Sequence, residues 1–298
     1  MLLLKLLDKS YDTAVIVILV LLSFLTLYPF WNSLVISFNV GTDTALGGIT
    51  FWPRAFTWEN YQVVFKDDRL VQAFGVSILR TTVGTCLSIF FTSMFAYGLT
   101  KKYLIGRKLF MIMCIVTLFF SGGLIPSYIL IRSLHMIDTF WVLVVPGIIV
   151  VWNVIIFRTF FMELPAGLEE SAKMDGCNHM RTFFSIILPI SGPVIATLSL
   201  FTAVGLWNDW FTASIYINNP KLIPIQTLLN QIINSNALSE QLSSAGGAAS
   251  EFVRQLQGVS TKSLVMATMI VTTLPIIMVY PFLQRFFVKG VLIGSLKE

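Results

Sequence analysis

The 298-residue sequence is 56% hydrophobic and only 12% charged, with a mean hydropathy of +0.81 and a formal net charge of +5. A soluble domain carries roughly 25% charged residues, so this composition excludes a water-soluble globule and points to a chain whose solvent is lipid. The 3 cysteines suggest no disulfide framework, Cys86 and Cys114 lying in apolar runs and Cys177 in a polar loop, and the 2 histidines, His135 and His179, lack metal-ligand spacing.

Taken from the N-terminus, Lys5 and Lys9 precede an uncharged run from Thr13 to Thr42. That run is too long for the apolar centre of a secretory signal, and no small-x-small cleavage pattern follows it, so an uncleaved first span is predicted. Six segments qualify as spans: about 13–38, 75–99, 107–131, 138–161, 186–213 and 263–287. An even count puts both termini on one side. With the N-terminus inside, twelve of the 20 Lys and Arg residues fall on inner segments, among them Lys101, Lys102, Arg107, Lys108, Lys173 and Arg181. The charge bias of short inner loops therefore predicts cytoplasmic termini and cytoplasmic loops at 100–107 and 162–185.

Between spans one and two, residues 39–74 end in an amphipathic piece around Trp58–Phe65. Between spans five and six, residues 214–262 contain Ser243-Ser244-Ala245-Gly246-Gly247-Ala248-Ala249-Ser250, the composition of a flexible linker. Neither stretch is apolar enough to bury a core of its own, and no internal repeat is evident. The expectation is one all-α membrane domain over residues 1–298.

The loop between spans four and five carries the most chemistry. Pro165 suits a first helical turn, Glu169 and Glu170 favour the positive end of a short helix, and Gly176 suits the left-handed position that ends it. A helix of two to three turns, about 12–15 Å long, is predicted to lie along the cytoplasmic face. The chain then re-enters the membrane through Phe183-Phe184-Ser185-Ile186-Ile187-Leu188-Pro189. A helix-turn-helix fused to two spans is a lever that a partner can grip.

At the opposite end of the spans, Arg80 and Asp209 lie at similar depth, where they can pair. Arg80 reads either as a side chain snorkelling to the outer interface or as a cation facing an acidic substrate. Trp207, Asn208, Asp209 and Trp210 combine aromatic faces with hydrogen-bonding groups, which suits a sugar ring, although an interfacial belt or packing is the more ordinary reading of such tryptophans. Pro126, Pro146, Pro189, Pro193 and Pro275 interrupt the spans, and Ser121-Gly122-Gly123 reads as a helix break.

The series Glu170-Ser171-Ala172, three residues, Gly176, nine residues, Ile186-Ile187-Leu188-Pro189 resembles the coupling-loop signature of bacterial ABC importer permeases, with Ser171 in place of its first Ala. The resemblance extends over nearly the whole chain to the second permease of maltose-type carbohydrate importers, through pieces such as Ile137-Asp138-Thr139 and Trp207-Asn208-Asp209-Trp210-Phe211. It implies a type I importer fold of six transmembrane helices with a cytoplasmic coupling helix, in the cytoplasmic (inner) membrane. It also implies ATPase-coupling roles for Glu169, Glu170, Ser171, Ala172, Asp175, Gly176, Leu188 and Pro189, and an ATPase contact by the tail at Lys289 and Gly290. The implied partners are a homologous permease, a dimer of ATPase subunits, an extracytoplasmic sugar-binding protein and membrane lipid, with no nucleic acid. The implied cargo is an oligosaccharide, uronate-bearing fragments such as those of alginate included.

The sequence contains no G-x-x-x-x-G-K-[ST] phosphate loop and no catalytic cluster, so ATP and Mg are expected in the partner ATPase and no cofactor or metal in this chain. The rival class, a secondary transporter driven by an ion gradient, calls for acidic residues at the bilayer midplane. Asp209 is the one candidate and lies toward the end of its span.

Overall fold

Lipid offers backbone groups no water, so a chain this apolar has to satisfy its own N–H and C=O groups in helices. The computed structural model describes residues 2–244 and 261–295, with the backbone alone for 2–10, 166, 236, 238–244, 261 and 280–295. Among the described residues the structure is helical apart from one isolated bridge between Asn39 and Phe56. Contacts divide the chain into two compact units, one over Met1–Asp68 with Leu229–Leu274, the other over Arg69–Leu228 with Pro275–Glu298.

In the first unit, α1 (Leu2–Ser37) is long and apolar enough over Tyr11–Ser37 to cross a membrane. Its side chains from Ile16 to Leu22 stand exposed, as a lipid-facing helix requires. A short α2 (Gly41–Ala45) and α3 (Glu59–Lys66) follow, the latter on the segment read as amphipathic. A polar centre is buried where this stretch meets Ser37 of α1 and Ser263. Asn39, fully buried, donates to Asp43 Oδ2 (2.9 Å) and Thr44 Oγ1 (3.0 Å) and accepts from the Ala55 N–H at 2.9 Å. Asn60 donates to the Ser37 and Asn39 carbonyls at 2.9 and 3.0 Å, and Ser263 donates to Thr44 Oγ1 at 2.7 Å.

The second unit is built on α4 (Asp68–Thr100). Against it pack α5 (Arg107–Phe119), α6 (Leu124–Ser133), a 3-10 pair (Phe140–Leu143 and Val145–Gly147) and α7 (Val151–Glu163). The chain continues through α8 (Ala166–Met174), α9 (His179–Thr182), a π turn (Phe183–Ile187), α10 (Leu188–Ile190), α11 (Gly192–Asn208) and α12 (Phe211–Tyr216). Tyr97, Val154, Phe157, Phe183 and Leu198 form the centre of its apolar core. Gly84 admits α11 closely, since a Cβ there would sit 2.7 Å from Leu206 Cδ1.

Three helices are long and apolar enough to span a membrane, and three bent pairs bring the number to six if each pair is one span. Spans three, four and five are the broken ones, at or beside the Gly and Pro positions read as interruptions. α5 and α6 meet at 117° across Gly123, whose φ of +83° only glycine adopts freely; the 3-10 pair containing Pro146 meets α7 at 47°; the helical stretch before Gly192 meets α11 at 82°. At the last break Pro189 and Pro193 supply no N–H, and Ser191 Oγ donates to the Ile187 carbonyl at 2.6 Å beside the Ser191 N–H at 3.1 Å.

Two further helices complete the described chain. The stretch after span five, read as loop and linker, forms α13 over Ile225–Ser244. The last span lies in α14 (Thr261–Ser295), which runs past the expected end at 287. Residues 245–250 of the linker lie outside the described residues.

Replacing Asn39 with Ala strands the half-buried Ala55 N–H and removes a donor to the buried Thr44 hydroxyl. The expected loss is about 1–3 kcal/mol for the stranded group, read as a lower thermal midpoint of the detergent-solubilised chain.

Candidate functional site

α8 is positioned by its two ends. Pro165 sits outside the helix at the N-cap with extended ψ of 127°, so it precedes the first turn instead of occupying it, and its carbonyl accepts from the Leu168 N–H at 3.1 Å. At the other end the Gly176 N–H bonds the Lys173 carbonyl (3.0 Å) and the Cys177 N–H bonds the Ala172 carbonyl (2.9 Å). This paired pattern with Gly176 at φ +77° is a Schellman stop, as its position after Asp175 predicts. Asn178 then caps α9, its Oδ1 accepting from the Arg181 N–H at 2.8 Å.

The faces of α8 are distinct. Ala172 is 2% exposed and seats the helix, whereas Glu170, Ser171, Lys173, Asp175 and above all Met174, at 88% exposure, face outward. Glu170 and Met174 stand one turn apart on the same outer face. Leu188 is half-buried and Pro189 exposed at the re-entry.

The adjacent Glu169 is engaged within the chain. Its carboxylate pairs with the Lys101 ammonium, which also sits 3.7 Å from the Tyr97 ring centroid. Burial pulls the Lys101 ammonium below the ordinary lysine value, against the opposing pull of Glu169. A second tie lies beside it: Tyr103 Oη is 3.0 Å from His179 Nε2, with the rings 5.4 Å apart. Burial and the Glu169 charge push the Tyr103 phenol up. The loop after α4 is thus fastened to both α8 and α9.

At the far end of α4, Arg80 is 1% exposed and does not snorkel. Its guanidinium donates to the Leu143 carbonyl (3.1 Å), to the Asp209 carbonyl (2.7 Å) and to Asp209 Oδ2, so the pairing expected from depth is present. Asp209 Oδ1 accepts from the Thr212 N–H at 3.1 Å, which starts α12 directly after α11 ends. Trp207 is buried against Phe74 and lines a cavity of about 240 Å³ with Thr81, Val204 and Pro275, while Asn208 and Trp210 are exposed. The sequence stretch Trp207–Trp210 is therefore split between packing and surface. Lys289 and Gly290 fall within α14, but their side chains lie outside the described residues.

The model of the family described as "binding-protein-dependent transport system inner membrane component" matches residues 88–293, which include α8 and Asp209 but not Arg80. The chain belongs to this family. Protein LplC of Bacillus subtilis strain 168 is 41% identical to the permease over 289 residues, covering 97% of it and 95% of LplC. The polygalacturonan/rhamnogalacturonan transport system permease protein YtcP of the same organism is 37% identical, covering 97% and 99%. In three dimensions the permease resembles a chain of a bacterial ABC transporter involved in the import of the acidic polysaccharide alginate, with a TM-score of 0.83 and 26% identity, over 94% of this chain and 97% of that one. The permease is a transport component of the ABC importer kind and not an enzyme, and the ion-gradient alternative finds no support.

Sequence reasoning used Thr100-Lys101-Lys102 only as an orientation signal and missed that Lys101 fastens α8. A lysine directly after a long apolar helix, facing a loop with two adjacent glutamates, was the available clue. It also left Asp138 without a physical role. That residue, at φ +61°, accepts from the Asn218 and Asn219 N–H groups at 2.9 and 2.7 Å and anchors the chain after α12.

Removing either partner of the Arg80–Asp209 pair leaves a poorly solvated charge. Arg80→Ala and Asp209→Ala are each expected to cost about 2–4 kcal/mol, discounted because the Asp209 side chain is partly exposed. In a double-mutant cycle of thermal midpoints, the double variant should lose clearly less than the sum of the singles.

Proposed function

We propose that this permease imports acidic, uronate-bearing oligosaccharides across the bacterial cytoplasmic membrane, with α8 as the handle turned by a separate ATPase. The observation that carries the reading is the division between two neighbouring glutamates: Glu169 is held by Lys101, and Glu170 faces outward beside Met174. A partner that grips α8 finds one free carboxylate and one apolar knob on a helix whose ends are both fixed. Ser171 and Asp175 border that surface, Ala172 and Gly176 shape it, and Leu188 and Pro189 carry its movement into α11.

In this reading both termini and the loops at 100–107 and 162–185 are cytoplasmic, in keeping with the Lys and Arg bias. The complete importer contains a homologous second permease, a pair of ATPase subunits that bind ATP and Mg, and an extracytoplasmic sugar-binding protein, all in contact with this chain or its lipid. The tail around Lys289 and Gly290 reaches toward the ATPases. Nucleotide binding closes the ATPase pair, draws α8 with it, and biases an equilibrium between inward-open and outward-open spans.

Acidic cargo is supported by two of the relatives, one named for polygalacturonan and rhamnogalacturonan, the other a transporter of alginate. Galacturonan and alginate share uronate rings. Asn208 and Trp210, exposed at the far end of α11, and the Trp207–Asp209 stretch are assigned to the sugar pathway. Arg80 shapes that pathway by holding Asp209; its guanidinium is already engaged by protein groups and does not meet the sugar.

Reversing the charge of Glu170 tests the coupling role. In proteoliposomes holding the whole importer, Glu170→Lys should reduce ATP-driven uptake of a galacturonate oligosaccharide more than tenfold, because a mismatched interfacial charge costs roughly 2–5 kcal/mol. Membrane insertion and thermal midpoint should stay unchanged. Full uptake by that variant contradicts the assignment.

A further inference from the structure

Beside α8 lies a cavity of about 420 Å³ whose lining includes the cations Lys101, Lys102, Arg107 and Lys173 and the anions Glu169 and Glu170. Because Lys101 and Glu169 neutralise each other, what the cavity presents is Lys102, Arg107 and Lys173 against the outward-facing Glu170. The surplus is positive. One turn before Phe161 and Met162, which line the same cavity, stands Arg158 on the same face of α7.

Arg158 is half-buried, and its Nε is fully shielded with no hydrogen-bond partner. Arg107, the first residue of α5, which packs against α7, lines the same cavity as Phe161 and Met162, and its charge disfavours that of Arg158. Among the described residues neither guanidinium forms an ion pair. Two like charges on neighbouring helices at one cavity, one of them with a shielded donor left unsatisfied, suit an anion held by both.

We propose that Arg107 and Arg158 hold the phosphate of an anionic phospholipid, with Lys102 at the rim of the site. Guanidinium groups offer planar, paired donors matched to phosphate oxygens. The position also fits a lipid better than a free anion. After Arg107 and Lys108, α5 turns apolar, and Leu109, Met113 and Val116 stand exposed along one side, where acyl chains can lie below a bound headgroup. Basic pockets between spanning helices at a headgroup layer are suited to this chemistry. The site requires only that this end of the bundle meets the headgroups, so it holds or fails apart from the coupling role of Glu170.

The assembled importer, purified in a mild detergent, is incubated with phosphatidylglycerol or phosphatidylcholine, and the lipid bound to this chain is measured by native mass spectrometry. The parent chain should retain phosphatidylglycerol over phosphatidylcholine by roughly tenfold or more. The Arg107→Gln/Arg158→Gln double variant should lose the preference, whereas Arg107→Lys/Arg158→Lys should keep most of it, which separates lost charge from lost folding. Millimolar inorganic phosphate should not displace the lipid. Equal retention of the two lipids by the parent chain overturns the proposal. So does undiminished preference in the Gln variant, displacement by inorganic phosphate, or occupation of the arginine pair by an acidic segment of a partner subunit.

Discussion

The Lys101 ammonium lies between the Tyr97 ring and the Glu169 carboxylate, and the arrangement of the α8 surface follows from that contact. Tyr97 belongs to the apolar core of the second unit, so the ammonium is fixed at the C-terminal end of α4 where an aromatic face replaces part of its lost hydration. Glu169 completes the compensation and is drawn inward. Because successive residues on a helix point about 100° apart, seating Glu169 turns Glu170 and Ser171 away from the bundle. The identity of the free carboxylate is thus a geometric consequence of where one lysine sits.

A second constraint is the accounting of backbone groups in lipid. Three of the expected spans are interrupted, and each interruption coincides with residues that cannot continue a helix or have no need to: Gly123 at a left-handed turn, Pro146 in a 3-10 segment, and Pro189 and Pro193 on either side of Ser191. The hydroxyl of Ser191 takes up the Ile187 carbonyl at the sharp re-entry after α9. The π turn over Phe183–Ile187 lies directly between α9 and α10, so any torque on α8 passes through the least regular helical segment nearby. A π turn interrupts the regular i→i−4 ladder, which suits a joint better than a continuous helix does.

Much of this was legible in the sequence because it depends on local rules. The apolar runs gave the membrane class, Gly176 after a polar amphipathic stretch gave the stop of α8, and Ser121-Gly122-Gly123 gave the break in span three. What was not legible depends on long-range partners. The buried Asn39 centre joins residues far apart in sequence, and a run of Asn, Asp, Thr and Ser reads as loop until those partners are known. The helix over Ile225–Ser244 was hidden by its polar composition, Asn230, Asn234 and Asn236 being weak helix formers. Arg80 carried two readings from sequence, snorkelling or facing cargo, and its burial against Asp209 and the Leu143 carbonyl is not snorkelling.

The central claim is that α8 presents Glu170 to an ATPase while Glu169 stays bound to Lys101. Site-specific crosslinking in the assembled importer tests it most directly, with single cysteines placed at 169 and 170 in a chain lacking Cys86, Cys114 and Cys177 and a short thiol-to-amine reagent. The account predicts strong capture of the ATPase from position 170 and little from position 169. Equal capture from both positions, or capture from 169 alone, contradicts it.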